Sequence, residues 1–285
     1  MRVRATPQRR TLVAGGHRLG YQECGPQDGP ALLLLHGLAS DSDTWDRVLV
    51  PFGERGVRVI ALDLLGHGAS DKPVGAYTLK EFADSLEQFL SALDVGPVTV
   101  GGHSLGGAIA IHFGYHYPDR VERLVLVAAG GLGREVHPAL RAAAVPGAER
   151  VLGLAMRRRL QRLYGRRAVH RALGLTSDNL VNLRRARRSL GNREGRAVFF
   201  TALRSVIAPA GQRGSFLEMR YLAEQVPTLL VWSEHDPVIP LAHARATVAH
   251  LPGSRLVVLP GGGHEPHRRH PDLFAAAVAD FVLTR

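Results

Sequence analysis

The chain has 285 residues, 45% of them hydrophobic, enough to bury a full core as one large domain or a core with a modest insertion; this excludes a disordered protein. Its single cysteine, Cys24, excludes an intrachain disulfide framework, and no CxxC or paired Cys/His spacing calls for a structural metal, so a reducing, cytoplasmic setting is expected. The formal charge of +11 is almost all arginine, with Lys72 and Lys80 the only lysines, which fits a compositional bias better than a nucleic-acid surface.

From the N-terminus, the basic residues 1–10 are followed by an apolar stretch far too short for a signal peptide, and no later run approaches the roughly 20 apolar residues of a membrane span. Residues 11–16 and 18–24 read as two short strands around a Gly-Gly-His turn, an antiparallel hairpin at a sheet edge. The run Ala31-Leu32-Leu33-Leu34-Leu35 is then the first buried strand, ending in His36-Gly37. Residues 57–62, 98–101, 123–128, 228–232 and 255–259 are further apolar runs without alternation, as in parallel strands covered on both faces.

Helical patterns lie between them. Over residues 79–93 the apolar positions Leu79, Phe82, Ala83, Leu86, Phe89, Leu90 and Leu93 recur at three-and-four spacing, and Thr78 with Glu81 forms a capping-box pattern ahead of them. Residues 106–117 give a second helix, stopped by Pro118, and residues 273–283 a terminal one. Strands alternating with helices predict an α/β fold with a doubly wound, mostly parallel sheet. The alternation breaks over 132–226, where arginine-rich amphipathic segments at 151–164 and 180–190 replace buried strands. The expected organisation is therefore a core over 1–131 and 227–285, with a helical lid over 132–226.

Chemistry is expected at the segment 98–108, Val-Thr-Val-Gly-Gly-His-Ser-Leu-Gly-Gly-Ala. A serine hydroxyl is a poor nucleophile unless it is exposed, set beside a base and faced by donors for the oxyanion. Here a buried strand runs straight into a helix with Ser104 on the corner, flanked by Gly102 and Gly106, as so sharp a turn requires.

The strand, elbow and helix around Ser104 resemble the nucleophile segment of the α/β-hydrolase superfamily, and the resemblance covers nearly the whole chain apart from the lid. It implies a nucleophile, acid and histidine in that chain order. Asp236 in Ser233-Glu234-His235-Asp236-Pro237-Val238-Ile239-Pro240 matches the acid's place after a strand, with capping of the helix at 241–251 as its plainer duty and Glu234 as a weaker rival. His264 in Gly263-His264-Glu265-Pro266-His267 matches the base, ahead of His267 and His270, which fall at the start of the terminal helix. The resemblance further implies an oxyanion hole from the backbone N–H groups of Leu38 and Leu105, with His36 and Gly37 shaping the loop. The segment Asp63-Leu64-Leu65-Gly66-His67-Gly68-Ala69-Ser70 matches a loop-shaping motif beside it.

Serine in place of aspartate at the nucleophile argues against the epoxide-opening and dehalogenating branches. An arginine-rich lid suits an aminopeptidase poorly, since a substrate amine needs acidic partners, and cofactor-free haloperoxidase-like relatives usually have smaller lids. The expected activity is hydrolysis of a small carboxylic ester through an acyl-enzyme, without cofactor or metal. Two other hydrolytic readings stand beside it: thioester hydrolysis, and carbon–carbon cleavage of a vinylogous diketone acid whose carboxylate Arg157, Arg184 or Arg188 would hold. A non-catalytic ligand-binding protein on the same fold is the reading from another class. The expected partner is a small acyl substrate, with no nucleic acid, and monomer and homodimer both remain open.

Overall fold

A computed structural model describes residues 6–150, 189–213 and 225–284. The amphipathic segment 151–164, nearly all of 180–190, and Arg157, Arg184 and Arg188 lie outside the described residues.

Strands β1 (Gln8–Ala14) and β2 (His17–Cys24) form the expected edge hairpin about Gly15 and Gly16, both with positive φ. The other strands of the main sheet are β3 (Ala31–Leu35), β4 (Arg58–Leu62), β5 (Val98–His103), β6 (Val121–Val127), β9 (Thr228–His235) and β10 (Arg255–Gly262). Between β6 and β9 the chain makes a separate two-strand hairpin, β7 (Ile207–Ala208) with β8 (Gly211–Gln212), too short to leave a periodic signature.

The eight-stranded sheet runs β1-β2-β4-β3-β5-β6-β9-β10, and every pairing from β4 to β10 is parallel. β4 lies on one side of β3 and β5 on the other, so the winding reverses at β3. The carboxyl ends of β3 and β5 thus open the crevice that doubly wound sheets use for ligands.

Alternation along each strand explains why the apolar runs are continuous. Leu33 and Leu35 face one core with Ile60, Leu62 and Val100, while Leu32 and Leu34 face a second with Val59, Ala61, Val125 and Val127. The first core is roofed by α2 (Leu79–Ala92) and α3 (Leu105–His116), through Phe82, Phe89, Ile109 and Phe113. The second is roofed by α1 (Asp46–Glu54) and α8 (Pro271–Leu283), where the Phe52 and Phe274 rings meet edge-on at 6.1 Å. Each leucine fully buried this way contributes about 1.5–3 kcal/mol.

The capping box is present at α2: the Thr78 hydroxyl accepts from Glu81 N, and the Glu81 carboxylate accepts from Thr78 N. Helix α1 departs from the sequence reading, which left it out. It carries Pro51 in its interior and Trp45 at its N-terminus without a side-chain cap, so both of the usual local signals are missing.

In the interval expected to form a lid, the described residues include α4 (Pro138–Ala144) and α5 (Arg193–Val206). Helix α6 (Leu241–His250) follows β9, and α7 (Pro266–Arg269) follows β10. Among the described residues no helix is long and apolar enough to cross a membrane.

Candidate active site

The corner between β5 and α3 is built by glycine contact. A Cβ on Gly102 would lie 2.1 Å from the carbonyl oxygen of Gly106, and one on Gly106 would lie 2.4 Å from that of Leu35. No side chain fits at either place. Ser104 takes φ 54° and ψ −114°, outside the regions ordinary residues prefer, and the local backbone holds it there through Ser104 N to Val127 O at 3.1 Å and Gly130 N to Ser104 O at 2.9 Å. A serine at a helix N-cap usually spends its hydroxyl on the first turn; Ser104 makes no such bond.

Asp236 and His264 follow neighbouring parallel strands, β9 and β10. The Asp236 side chain is fully buried, and its two oxygens divide the work. Oδ1 accepts from Val238 N at 2.7 Å and Ile239 N at 3.1 Å, which closes the turn before α6; Oδ2 accepts from His264 Nδ1 at 2.8 Å. A carboxylate only accepts, so His264 Nδ1 is the donor of this bond, and in the neutral ring that leaves the lone pair on Nε2. One side chain thus closes the turn and pairs with the histidine, while α6 begins after Pro240 with no side-chain cap, so the expected helix-capping role of Asp236 is not found. Glu234 is committed elsewhere, accepting from Gly261 N at 2.8 Å, and Gly263 N donates to His235 O, so the end of β9 props the glycine loop that carries His264.

The rival histidines are placed apart from this pair. His267 is buried in α7 with Nε2 3.1 Å from Thr44 Oγ1 and its ring 4.2 Å from that of Trp45. His270 Nε2 donates to Pro260 O at 2.9 Å.

After β3 the chain turns through Gly37, Leu38 and Ala39, the last at φ 57°. A Cβ on Gly37 would lie 3.2 Å from Ser104 Cβ, so this turn abuts the elbow. His36 is buried beneath it: Nε2 accepts from Leu64 N at 3.1 Å, which leaves the proton on Nδ1 to donate to Gly37 O at 2.8 Å. Asp63 ties the neighbouring loop, accepting from Ser42 N at 2.6 Å and Ala69 N at 2.8 Å, while the Ser70 hydroxyl returns to Asp63 O. His67 lies against His36 with ring centroids 5.0 Å apart; its complete burial, and then His36, push it down to about 3.

Two residues near the site escape a sequence reading. His103, between Gly102 and Ser104, donates from Nε2 to His264 O at 2.7 Å, which ties the loop that carries His264 to the elbow. Burial, and then the neighbouring His264, push His103 down to about 4. The available signal is the motif itself, whose first variable position is an ionisable ring. Gln212, on β8, accepts from Gly131 N at 2.9 Å and donates to Glu135 O at 3.0 Å, and a Cβ on Gly130 would meet its Oε1 at 3.1 Å. Helix α5 covers the other flank: Ser205 Oγ donates to Tyr77 O, and a Cβ on Gly66 would lie 2.7 Å from Val198. Among the described residues no group of three or more His, Cys, Asp or Glu side chains could hold a metal ion.

The sequence model for the alpha/beta hydrolase fold matches residues 30–271. An uncharacterised protein of Mycobacterium tuberculosis is 37% identical over 284 residues, covering 98% of this chain and 82% of that one. A 2-hydroxy-6-oxo-2,4-heptadienoate hydrolase of Pseudomonas putida is 30% identical, covering 96% of this chain and 95% of its own. Among solved structures, a hydrolase from Pseudomonas aeruginosa is 27% identical with a TM-score of 0.71, covering 97% of this chain and 99% of that one.

Proposed function

The chain belongs to the alpha/beta hydrolase fold family, and from that premise we propose that it is a serine hydrolase that cleaves a small carboxylic ester through an acyl-enzyme. Ser104 attacks the carbonyl. His264 Nε2 takes the hydroxyl proton and later returns it to the leaving group, and Asp236 keeps the ring in the Nδ1–H form and stabilises the imidazolium. The backbone N–H groups of Leu38 and Leu105 receive the oxyanion, the latter at the positive end of α3. Water then deacylates the enzyme with the same base.

The observation that carries the reading is the 2.8 Å pairing of Asp236 with His264 on a loop bonded to the residue preceding Ser104. Ester hydrolysis is the default because this set of groups needs no further specialisation to perform it. The interval 132–226, taken as a lid, sets the substrate, and a cytoplasmic location goes with the reading.

A second reading is favoured by one specific observation: the Pseudomonas putida relative named for a 2-hydroxy-6-oxo-dienoate spans nearly the full chain. On this reading the same serine, base and acid cleave a carbon–carbon bond next to a ketone.

Labelling with a fluorophosphonate tests the nucleophile. Wild-type protein is expected to take up one label per chain and Ser104→Ala none; equal labelling of the two defeats the assignment, and an unlabelled wild type favours a ligand-binding protein instead. Hydrolysis of p-nitrophenyl esters of graded length, against acyl-CoA thioesters and a vinylogous diketone acid, then separates the substrate classes.

A further inference from the structure

We propose that His103 is a positioning residue: it holds the backbone of His264 by its carbonyl and seats its opposite ring edge against the Gly37 turn, so that base and oxyanion turn keep one spacing about Ser104. The inference rests on the assignment of Ser104 and His264 made above.

The bond at 2.7 Å fixes the tautomer. A carbonyl oxygen only accepts, so the proton is on His103 Nε2 and Nδ1 carries a lone pair. Nδ1 is buried and has no hydrogen-bond partner among the described residues. It faces Gly37, where a Cβ would lie 2.9 Å from Nδ1 and 3.3 Å from Cε1, so nothing larger than glycine fits between ring and turn.

The ring cannot shift easily. Its backbone is the last rung of β5, paired with Val127 of β6. The His264 ring stands 4.7 Å away, and the His267 ring, itself 4.2 Å from Trp45, stands 5.0 Å away.

Constancy of charge belongs to the same device. A second proton on His103 would point at Gly37 with no acceptor, and it would sit beside the imidazolium that forms when His264 takes the serine proton. Burial and that neighbour together push His103 down to about 4, so it remains a neutral single donor while the charge beside it changes. The carbonyl it holds is that of the base itself. A shift of about 1 Å in a reacting group can cost on the order of a hundredfold in rate, which makes this bond a lever on the placement of His264.

The test compares fluorophosphonate labelling rates, and kcat and KM on p-nitrophenyl acetate, for wild type, Ser104→Ala, His103→Met and His103→Gln. Methionine fills the volume without an N–H; glutamine can return an amide donor near the Nε2 position. His103→Met is expected to slow labelling and kcat by about 10- to 100-fold with KM changed by less than about twofold, and His103→Gln to recover to within about fivefold of wild type.

Wild-type rates in His103→Met, or equal losses in both variants, overturn the inference and leave the nucleophile assignment standing. Labelling unaffected by Ser104→Ala overturns both. Should His103→Met fail to fold, nitrogen NMR of the wild-type ring decides: Nε2–H with bare Nδ1 between about pH 5.5 and 8 is expected, and an Nδ1–H form or a titration in that window overturns the proposal.

Discussion

Asp236 gives one carboxylate oxygen to the backbone of its own turn, at Val238 and Ile239, and the other to His264 Nδ1 at 2.8 Å. The two duties separate by mutation. Asp236→Asn keeps an acceptor for the turn but spoils the histidine's tautomer, so stability should hold within about 1 kcal/mol while kcat falls by about 10⁴. Asp236→Ala should lose both, with a further destabilisation of about 1–2 kcal/mol. Urea melts beside ester kinetics read the split; equal stability of the two variants would show that the turn does not need Oδ1.

The glycines of the elbow are expected to tolerate no side chain. With a Cβ at 2.1 Å from Gly106 O or at 2.4 Å from Leu35 O, Gly102→Ala and Gly106→Ala push backbone against backbone. Overpacking of this kind costs about 1–3 kcal/mol when the surroundings can relax, and more when they are main chain. Soluble yield and denaturant midpoint check it; wild-type values for both in Gly102→Ala would mean the corner is looser than it looks.

His36 joins Leu64 N to Gly37 O beneath the Gly37 turn. His36→Ala strands Leu64 N and takes one of two donors from Gly37 O, which keeps Ser40 N, for a loss of about 1–3 kcal/mol, and should lower kcat further because the turn beside Ser104 loses its support. A variant that loses stability but keeps the wild-type labelling rate would confine His36 to folding.

Acid sensitivity follows from two buried rings. His67, pushed to about 3, and His103, pushed to about 4, are neutral in the fold, whereas in the unfolded chain each titrates at the ordinary histidine value of 6.5. Unfolding therefore takes up protons below about pH 6.5. The stability these rings confer is complete above that pH and drains away as the pH falls toward 4, by up to about 1.4 kcal/mol per unit for each ring. Urea unfolding at about pH 7.5, 5.5 and 4.5 measures the slope, and His67→Phe should remove its share. A flat profile would count against neutral burial.

The strands of the main sheet and the elbow were legible because each leaves a local mark: a short apolar run, or a serine between glycines where a strand becomes a helix; β7 and β8, two residues each, leave none. Helix α2 was legible through Thr78 and Glu81 for the same reason. Helix α1 was not, because Pro51 and the uncapped Trp45 contradict local propensity and the helix is held by Phe52 and its neighbours in the second core. The contact of His103 with His264 spans 161 positions, a separation at which no window of sequence carries a signal. Asp236 could be read either as a cap of the helix at 241–251 or as an acid; the structure leaves that helix without a side-chain cap and puts one oxygen of Asp236 on its own turn and the other on His264 Nδ1.

Gln212 has a consequence for how this chain can vary. Its side chain bonds Gly131 N and Glu135 O, and its own N–H donates to Arg134 O, so the polypeptide returns to the point where it left β6 before continuing to β9. Glu135 and Gly211 are thereby held close together, and this closure does not depend on how many residues lie between them. The entropy of closing such a loop grows only logarithmically, about 0.6 kcal/mol for each doubling, so residues can be gained or lost inside it at little thermodynamic penalty to the elbow. Insertions there, outside α5 whose Val198, Phe200 and Leu203 are buried in the first core, are expected to leave Ser104, Asp236 and His264 where the sheet puts them.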